Sequence, residues 1–282
     1  MNYTEVNLDL QGTAQRIYYS LLYRSTFYKF LNESYIGTLR NTGVPMIEVL
    51  KSKNITANVR QTKEIANRLN PALMEYESVK VDLTELPLDY SIRIPLLVAG
   101  SDITNTLEDA MEKKDQAVAL AVDTYGFGVL ADQVTEEAVW NPSTQDDYVT
   151  TINGLRARLF NNNVFDDYRM GLSATEYANY VSAITSVLKY ETMAGVEGVD
   201  RGTIAVAYGV GAFPINDEML DGVKGYFYNP IAVVGDAFFD TFSQFNSPQG
   251  YPGYFVLEGN MMFGAKVIEP NAIIALKESI SG

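Results

Sequence analysis

From Ile103 to Tyr125 the apolar residues return at helical spacing without a gap long enough to end a helix. The stripe runs Ile103, Leu107, Ala110/Met111, Ala117/Val118, Ala121/Val122 and Tyr125, with Lys114 its one interruption. The pattern predicts a single helix over about 103–126. At about 1.5 Å per residue it spans roughly 35 Å, long for a globular helix, so the rest of the chain has to be arranged along it as a spine. Ser101 or Asp102 is placed to cap its start, and Glu108 and Asp109 lie near its positive end.

The flanking segments alternate between helical and extended patterns. Residues 12–33 are expected to be helical, with Ile17, Leu21 and Tyr28 on one face and Tyr18 and Leu22 beside them. So aromatic a helix near a chain end docks on something, its own body or another subunit. Gly43 to Leu50 reads as a strand entered by a turn, and Asn54 to Arg60 as a second short extended piece. Val79, Val81 and Leu83 alternate with Lys80, Asp82 and Thr84, a half-buried strand. The polar stretch between these strands suggests a projecting hairpin, so residues 45–78 are expected to be dispensable for folding. Ile92, Ile94 and Leu96 alternate in a further strand whose proline places it at an edge or a strand end.

Beyond the spine, helices are predicted at about 145–161 and 174–190. Ser173 and Glu176 have capping-box spacing at the start of the second, and Leu172 with Tyr177 can form its hydrophobic staple. Strands are expected at 204–210, 225–234, 254–257 and 261–268. With helices and strands segregated in this way, the fold class is α+β.

The side-chain inventory narrows the chemistry. The 282 residues include no His and no Cys. Histidine is the commonest general base and transition-metal ligand, and cysteine supplies thiolate and iron–sulfur chemistry, so those sites are excluded. Gly126-Phe127-Gly128-Val129-Leu130-Ala131 matches a dinucleotide fingerprint, but a helix precedes it where a strand is needed. Glycines turning the helix C-terminus explain it better. The acidic pairs Glu136/Glu137, Asp146/Asp147 and Asp166/Asp167 suit solvated positions or a helix first turn, and a carboxylate or Mg²⁺ enzyme is the reading they leave open. We assign no catalytic, cofactor-binding or metal residues.

Charge is distributed unevenly. The formal net charge is −14. Residues 1–80 carry 10 basic and 7 acidic side chains, net +3, and residues 81–282 carry 11 and 28, net −17. A body this acidic does not bind nucleic acid through its whole surface. The basic segment can grip the body of a neighbouring copy, and Arg60, Lys63 and Arg68 are its candidate inter-subunit contacts. No secretory signal and no apolar run of membrane-spanning length occurs.

Several segments, in order, resemble the major capsid proteins of tailed bacteriophages, whose shell fold is shared by encapsulin nanocompartments and the herpesvirus capsid floor. Gly43 to Leu83 resembles that family's extended loop, and Asp102 to Leu130 its spine helix. Asp167-Tyr168-Arg169-Met170-Gly171-Leu172-Ser173-Ala174-Thr175-Glu176-Tyr177 is similar to its strand-to-helix step. Gly202 to Val210 and Met262-Phe263-Gly264-Ala265-Lys266-Val267-Ile268-Glu269-Pro270 are similar to two later strands.

The resemblance implies an N-terminal arm (1–42), an extended loop (43–83), a peripheral domain with the spine helix (84–135), an axial domain (136–250) and C-terminal strands returning to the peripheral domain (251–282). It implies a structural protein with no enzyme site and no cofactor. Many copies form the pentamers and hexamers of an icosahedral capsid around double-stranded DNA, without sequence-specific contact. A separate scaffolding protein and a portal are expected partners, no membrane is involved, and the protein belongs in the virion, assembled in the host cytoplasm. The alternative is an encapsulin-like shell around a cargo enzyme, which a captured cargo peptide would distinguish.

Overall fold

The computed structural model describes residues 8–37, 45–52, 76–96, 103–188, 205–207 and 209–279. Within them, helix α1 (Leu10–Arg24) is followed by a 3-10 turn (Phe27–Phe30) and strands β1 (Met46–Ser52), β2 (Tyr76–Asp82) and β3 (Leu86–Pro95). Then come the spine α2 (Ile103–Gln133), β4 (Glu137–Val139), α3 (Gln145–Asn161), β5 (Arg169–Ser173) and α4 (Ala174–Leu188). Strands β6 (Ala205–Ala207), β7 (Val210–Ile215), β8 (Gly225–Tyr228), β9 (Val233–Asn246), β10 (Tyr254–Val267) and β11 (Ile273–Lys277) complete it. The strands form a two-stranded ribbon (β1-β2), a three-stranded sheet (β3-β10-β9) and a six-stranded sheet (β4-β11-β8-β5-β7-β6). The α+β class follows. The chain passes between the two larger sheets at the 3-10 turns Pro230–Ala232 and Pro270–Ala272, so residues 136–250 and 251–282 each contribute strands to both.

The spine continues seven residues past its expected end, to Gln133, and Gly126 and Gly128 lie inside it. The glycine at 126 serves packing rather than turning. A Cβ there would fall within the ring of Phe27, which lies against the helix. Leu107, Met111, Val118 and Val122 are buried as the stripe requires. Asp115 and Asp123, on the same helix, are buried as well.

Helix α1 stops at Arg24, short of the expected residue 33. The Asp123 carboxylate accepts hydrogen bonds from Ser25 Oγ at 2.5 Å and from the backbone N–H groups of Thr26 (3.0 Å) and Phe27 (2.9 Å). Those N–H groups would otherwise continue the helical ladder, so the carboxylate acts as a local competitor that releases the chain. The freed segment forms the 3-10 turn, and Phe27 and Phe30 enter the core without residual exposure. Phe30 stacks on Tyr228 at 4.2 Å and meets Phe127, Phe213 and Tyr226 edge-on. This aromatic plug joins the spine to the six-stranded sheet.

Helix α3 has the predicted bounds, and the capping box that starts it pairs Thr144 with Asp147. At α4 only half of the expected box forms. Ser173 Oγ accepts from the Glu176 N–H at 3.2 Å, but the Glu176 carboxylate turns to Lys224, also at 3.2 Å. The two strands expected at 254–257 and 261–268 are one strand, β10, with a register shift against β9 between Gly259 and Met261.

Candidate assembly surfaces

The acidic pairs are used structurally. Asp147 caps α3, and its hydrogen bonds from Thr144 and Ser143 bring its pKa down to about 2. Glu136 pairs with Arg158 (2.7 Å) and Glu137 with Lys277 (2.5 Å). Asp166 and Asp167 occupy left-handed backbone (φ 66° and 42°), and Asp167 pairs with Arg169 at 3.1 Å. Among the described residues no group of three or more acidic side chains is placed to hold a metal, and no helix is long and apolar enough to cross a membrane.

Buried carboxylates mark the places where the N-terminal segment is fastened to its own body. Asp236, on β9, accepts from Tyr18 Oη (2.9 Å), Tyr28 Oη (3.2 Å), the Gly37 N–H (2.6 Å) and the Ala237 N–H (2.8 Å). Asp115 accepts from Tyr90 Oη at 2.7 Å, tying the spine to β3. Sequence reading missed all three acids. Their only signal is an acidic residue at a position where the hydrophobic period demands an apolar one, visible for Asp115 between Met111 and Val118.

Burial raises the carboxyl pKa of Asp115, Asp123 and Asp236 above the ordinary value, against the lowering effect of their hydrogen bonds. A raised folded-state pKa contributes stability that is present below the unfolded value of about 4 and is lost as pH rises through the folded one. Asp82, Asp147 and Asp217 have lowered values, so their contribution is lost only as pH falls below about 4. The melting midpoint is therefore expected to be at least as high at pH 5 as at pH 7, and to fall below pH 4. A midpoint that drops steadily from pH 7 to 5 would contradict this balance.

The ribbon β1-β2 is fastened at its root. Ile47, Val49, Val81 and Leu83 form a second buried cluster with Val234 and Ile268. The strand alternation expected at 79–83 is present, with Val79 half-buried. Gly264 of the terminal motif is required here, because a Cβ would strike the Asp82 carbonyl of β2. Lys51 donates to the Ile268 carbonyl and pairs with Glu269 at 3.0 Å. Ile47 and Val49 thus belong to the packed body, and the expectation that all of 45–78 is dispensable for folding is corrected for that part of β1. Arg60, Lys63 and Arg68 lie outside the described residues, as does the short extended piece expected at 54–60.

No protein-family model and no curated protein matches this sequence. Solved structures do match. The capsid of Ralstonia phage GP4 aligns over 98% of this chain and 94% of its own, with a TM-score of 0.61 and 10% identity. A structure from Mycobacterium phage Che8 aligns over 91% and 92% (TM-score 0.58, 17% identity). The capsid of cyanophage P-SCSP1u aligns over 84% of both chains (TM-score 0.58, 14% identity). The chain has the fold of tailed-phage major capsid proteins.

Proposed function

We propose that this protein is a structural shell subunit rather than an enzyme, and that it self-assembles into the pentamers and hexamers of an icosahedral capsid enclosing double-stranded DNA. The observation that carries this reading is the likeness to the GP4 capsid along nearly the whole length of both chains. In this reading the protein resides in the virion after assembly in the host cytoplasm, with a separate scaffolding protein and a portal as partners. The acidic body repels the genome rather than pinning it. Residues 43–83 form the extended loop, whose Arg60, Lys63 and Arg68 contact a neighbouring copy. Negative-stain microscopy of the purified protein tests the assembly. Closed shells, rings or tubes are expected, and dispersed monomers at high concentration would refute it.

The loop contact has its own test. The triple change Arg60→Glu, Lys63→Glu, Arg68→Glu should leave the melting midpoint unchanged and block or slow assembly. Each exposed pair is worth only about 0.2–1 kcal/mol, but a shell repeats the contact in every subunit. Wild-type assembly should weaken with salt, because exposed charges are screened over about 10 Å at 0.1 M. Light scattering across a salt series reads both effects. Unchanged assembly of the triple variant would remove these residues from the contact.

A further inference from the structure

A cavity of about 490 Å³ opens between the N-terminal segment and the six-stranded sheet. Leu22, Tyr28 and Ile36 line it on one side, Tyr168 and Phe213 on the other. Among the described residues, the charged groups in its wall are Lys29, Glu33, Asp167 and Arg169. Apolar walls with a few placed polar groups, at a junction between two structural units, are the composition of a small-molecule site. The walls are held in place from behind. Tyr228 Oη donates to the Lys29 carbonyl at 2.7 Å, and Phe30 stacks on the same tyrosine ring. Tyr168 stacks on Phe227 and donates to the Val164 carbonyl at 2.8 Å, and Tyr28 donates to Asp236. A ligand entering here would lose little affinity to ordering its site.

The two cations are placed differently. Arg169 is engaged by carboxylates of the wall itself: Asp167 accepts from its Nε at 3.2 Å and from Nη2 at 3.1 Å, and Glu33 accepts from Nη2 at 3.2 Å. Lys29 Nζ lies over the Phe213 ring, 5.0 Å from its centre. Burial holds the Lys29 ammonium pKa below its ordinary value, and Asp123, the carboxylate that opposes this shift, already accepts from Ser25, Thr26 and Phe27. An ammonium desolvated in this way gains from an anion beside it. Glu33 and Asp167 limit the charge of that anion, because a second negative group in the cavity would be repelled by them. The wall therefore selects one negative charge on a largely apolar body.

We propose that this cavity is a binding site for a small aromatic monocarboxylate. The carboxylate meets Lys29 Nζ, and the ring packs on Leu22 and Ile36 and against the edges of Tyr28, Tyr168 and Phe213. The ligand touches the N-terminal segment and the six-stranded sheet at once, so binding clamps the two together and stabilises the folded chain. The site is complete within one subunit and does not depend on the shell reading.

Naphthoate is the probe, titrated calorimetrically into the full-length protein and followed in parallel by the melting midpoint. Binding should saturate at a single site and raise the midpoint. Naphthamide, of the same shape without the charge, and naphthalene dicarboxylate, with a second charge, should each bind about tenfold more weakly, the worth of one charge-assisted hydrogen bond. Lys29→Met keeps the apolar stem and should weaken naphthoate by about tenfold while leaving naphthamide unchanged. Lys29→Arg should keep naphthoate binding to within a few-fold. Glu33→Gln, at an exposed side chain, should narrow the gap between naphthoate and the dicarboxylate. Should Lys29→Met fail to fold, the charge selectivity of the wild type and the Glu33→Gln comparison decide. No saturable naphthoate binding, equal affinity for naphthamide, or undiminished naphthoate binding by a folded Lys29→Met protein would overturn the proposal. None of these measurements reads assembly, so their failure leaves the shell reading in place.

Discussion

Met111→Asp is expected to appear in the insoluble fraction, and any soluble portion should melt with a loss of about 3–5 kcal/mol. Met111 is 3% exposed on the core side of the spine. A carboxylate there would be buried without a partner, which is costly by itself. It would also stand one helical turn from Asp115, which is buried and already has its pKa raised by burial. The two like charges cannot both ionise at that spacing without further loss. Met111→Leu keeps the volume and apolar character and should cost less than about 1.5 kcal/mol, which separates the charge effect from packing. Solubility together with a urea titration measures both variants. A soluble Met111→Asp protein melting like wild type would mean that this face of the spine is not core.

Asp236→Asn should lower the unfolding free energy by about 3 kcal/mol, despite its near-identical shape. Every partner of this carboxylate is a donor: two tyrosine hydroxyls and two backbone N–H groups. An amide offers one acceptor oxygen, and its NH₂ would point at further donors. At least one buried donor is then left unmade, and charge-assisted bonds become neutral ones. Removing a charge whose burial is unfavourable returns part of the loss, so the effect is smaller than a naive sum over four bonds. Tyr18→Phe and Tyr28→Phe should each cost about 1 kcal/mol, since each removes one bond and leaves the acceptor other partners. Chemical denaturation of the three variants orders them. If Asp236→Asn unfolds at the wild-type midpoint, the network does not fasten the N-terminal segment.

Periodicity revealed most of the regular elements because their partners impose one face each. The bounds of α3, the alternation of β2 and β3 and the existence of the spine all follow from this. What it missed depends on contacts between residues far apart in sequence. The end of α1 is set by Asp123, about a hundred positions away, and no local signal in Ser25-Thr26-Phe27 announces it. Gly126 resembles a helix terminator until Phe27 is seen to occupy the space of its missing side chain. Strand β11 is short, four apolar residues followed by Lys277, so neither period could distinguish it from a loop running into the core. For the assembly surfaces, the charge asymmetry is legible as a number, but the fastening of the ribbon by Lys51 to Ile268 and Glu269 is not, because those partners lie far away in the sequence.

The aromatic plug has a consequence for the order of events during synthesis. Phe27 and Phe30 are made long before the residues they pack on, Phe213, Tyr226, Tyr228 and Phe263. A nascent chain therefore cannot close its core by folding progressively in the order of synthesis, because the seat of the plug is completed only once Phe263 has been made. The long loop closures involved make this step slow compared with forming the spine. A polypeptide released early would keep two phenylalanines without their cavity and would be a substrate for chaperones and proteases rather than a competent building block. Quality control over truncated products is thus written into the position of four residues.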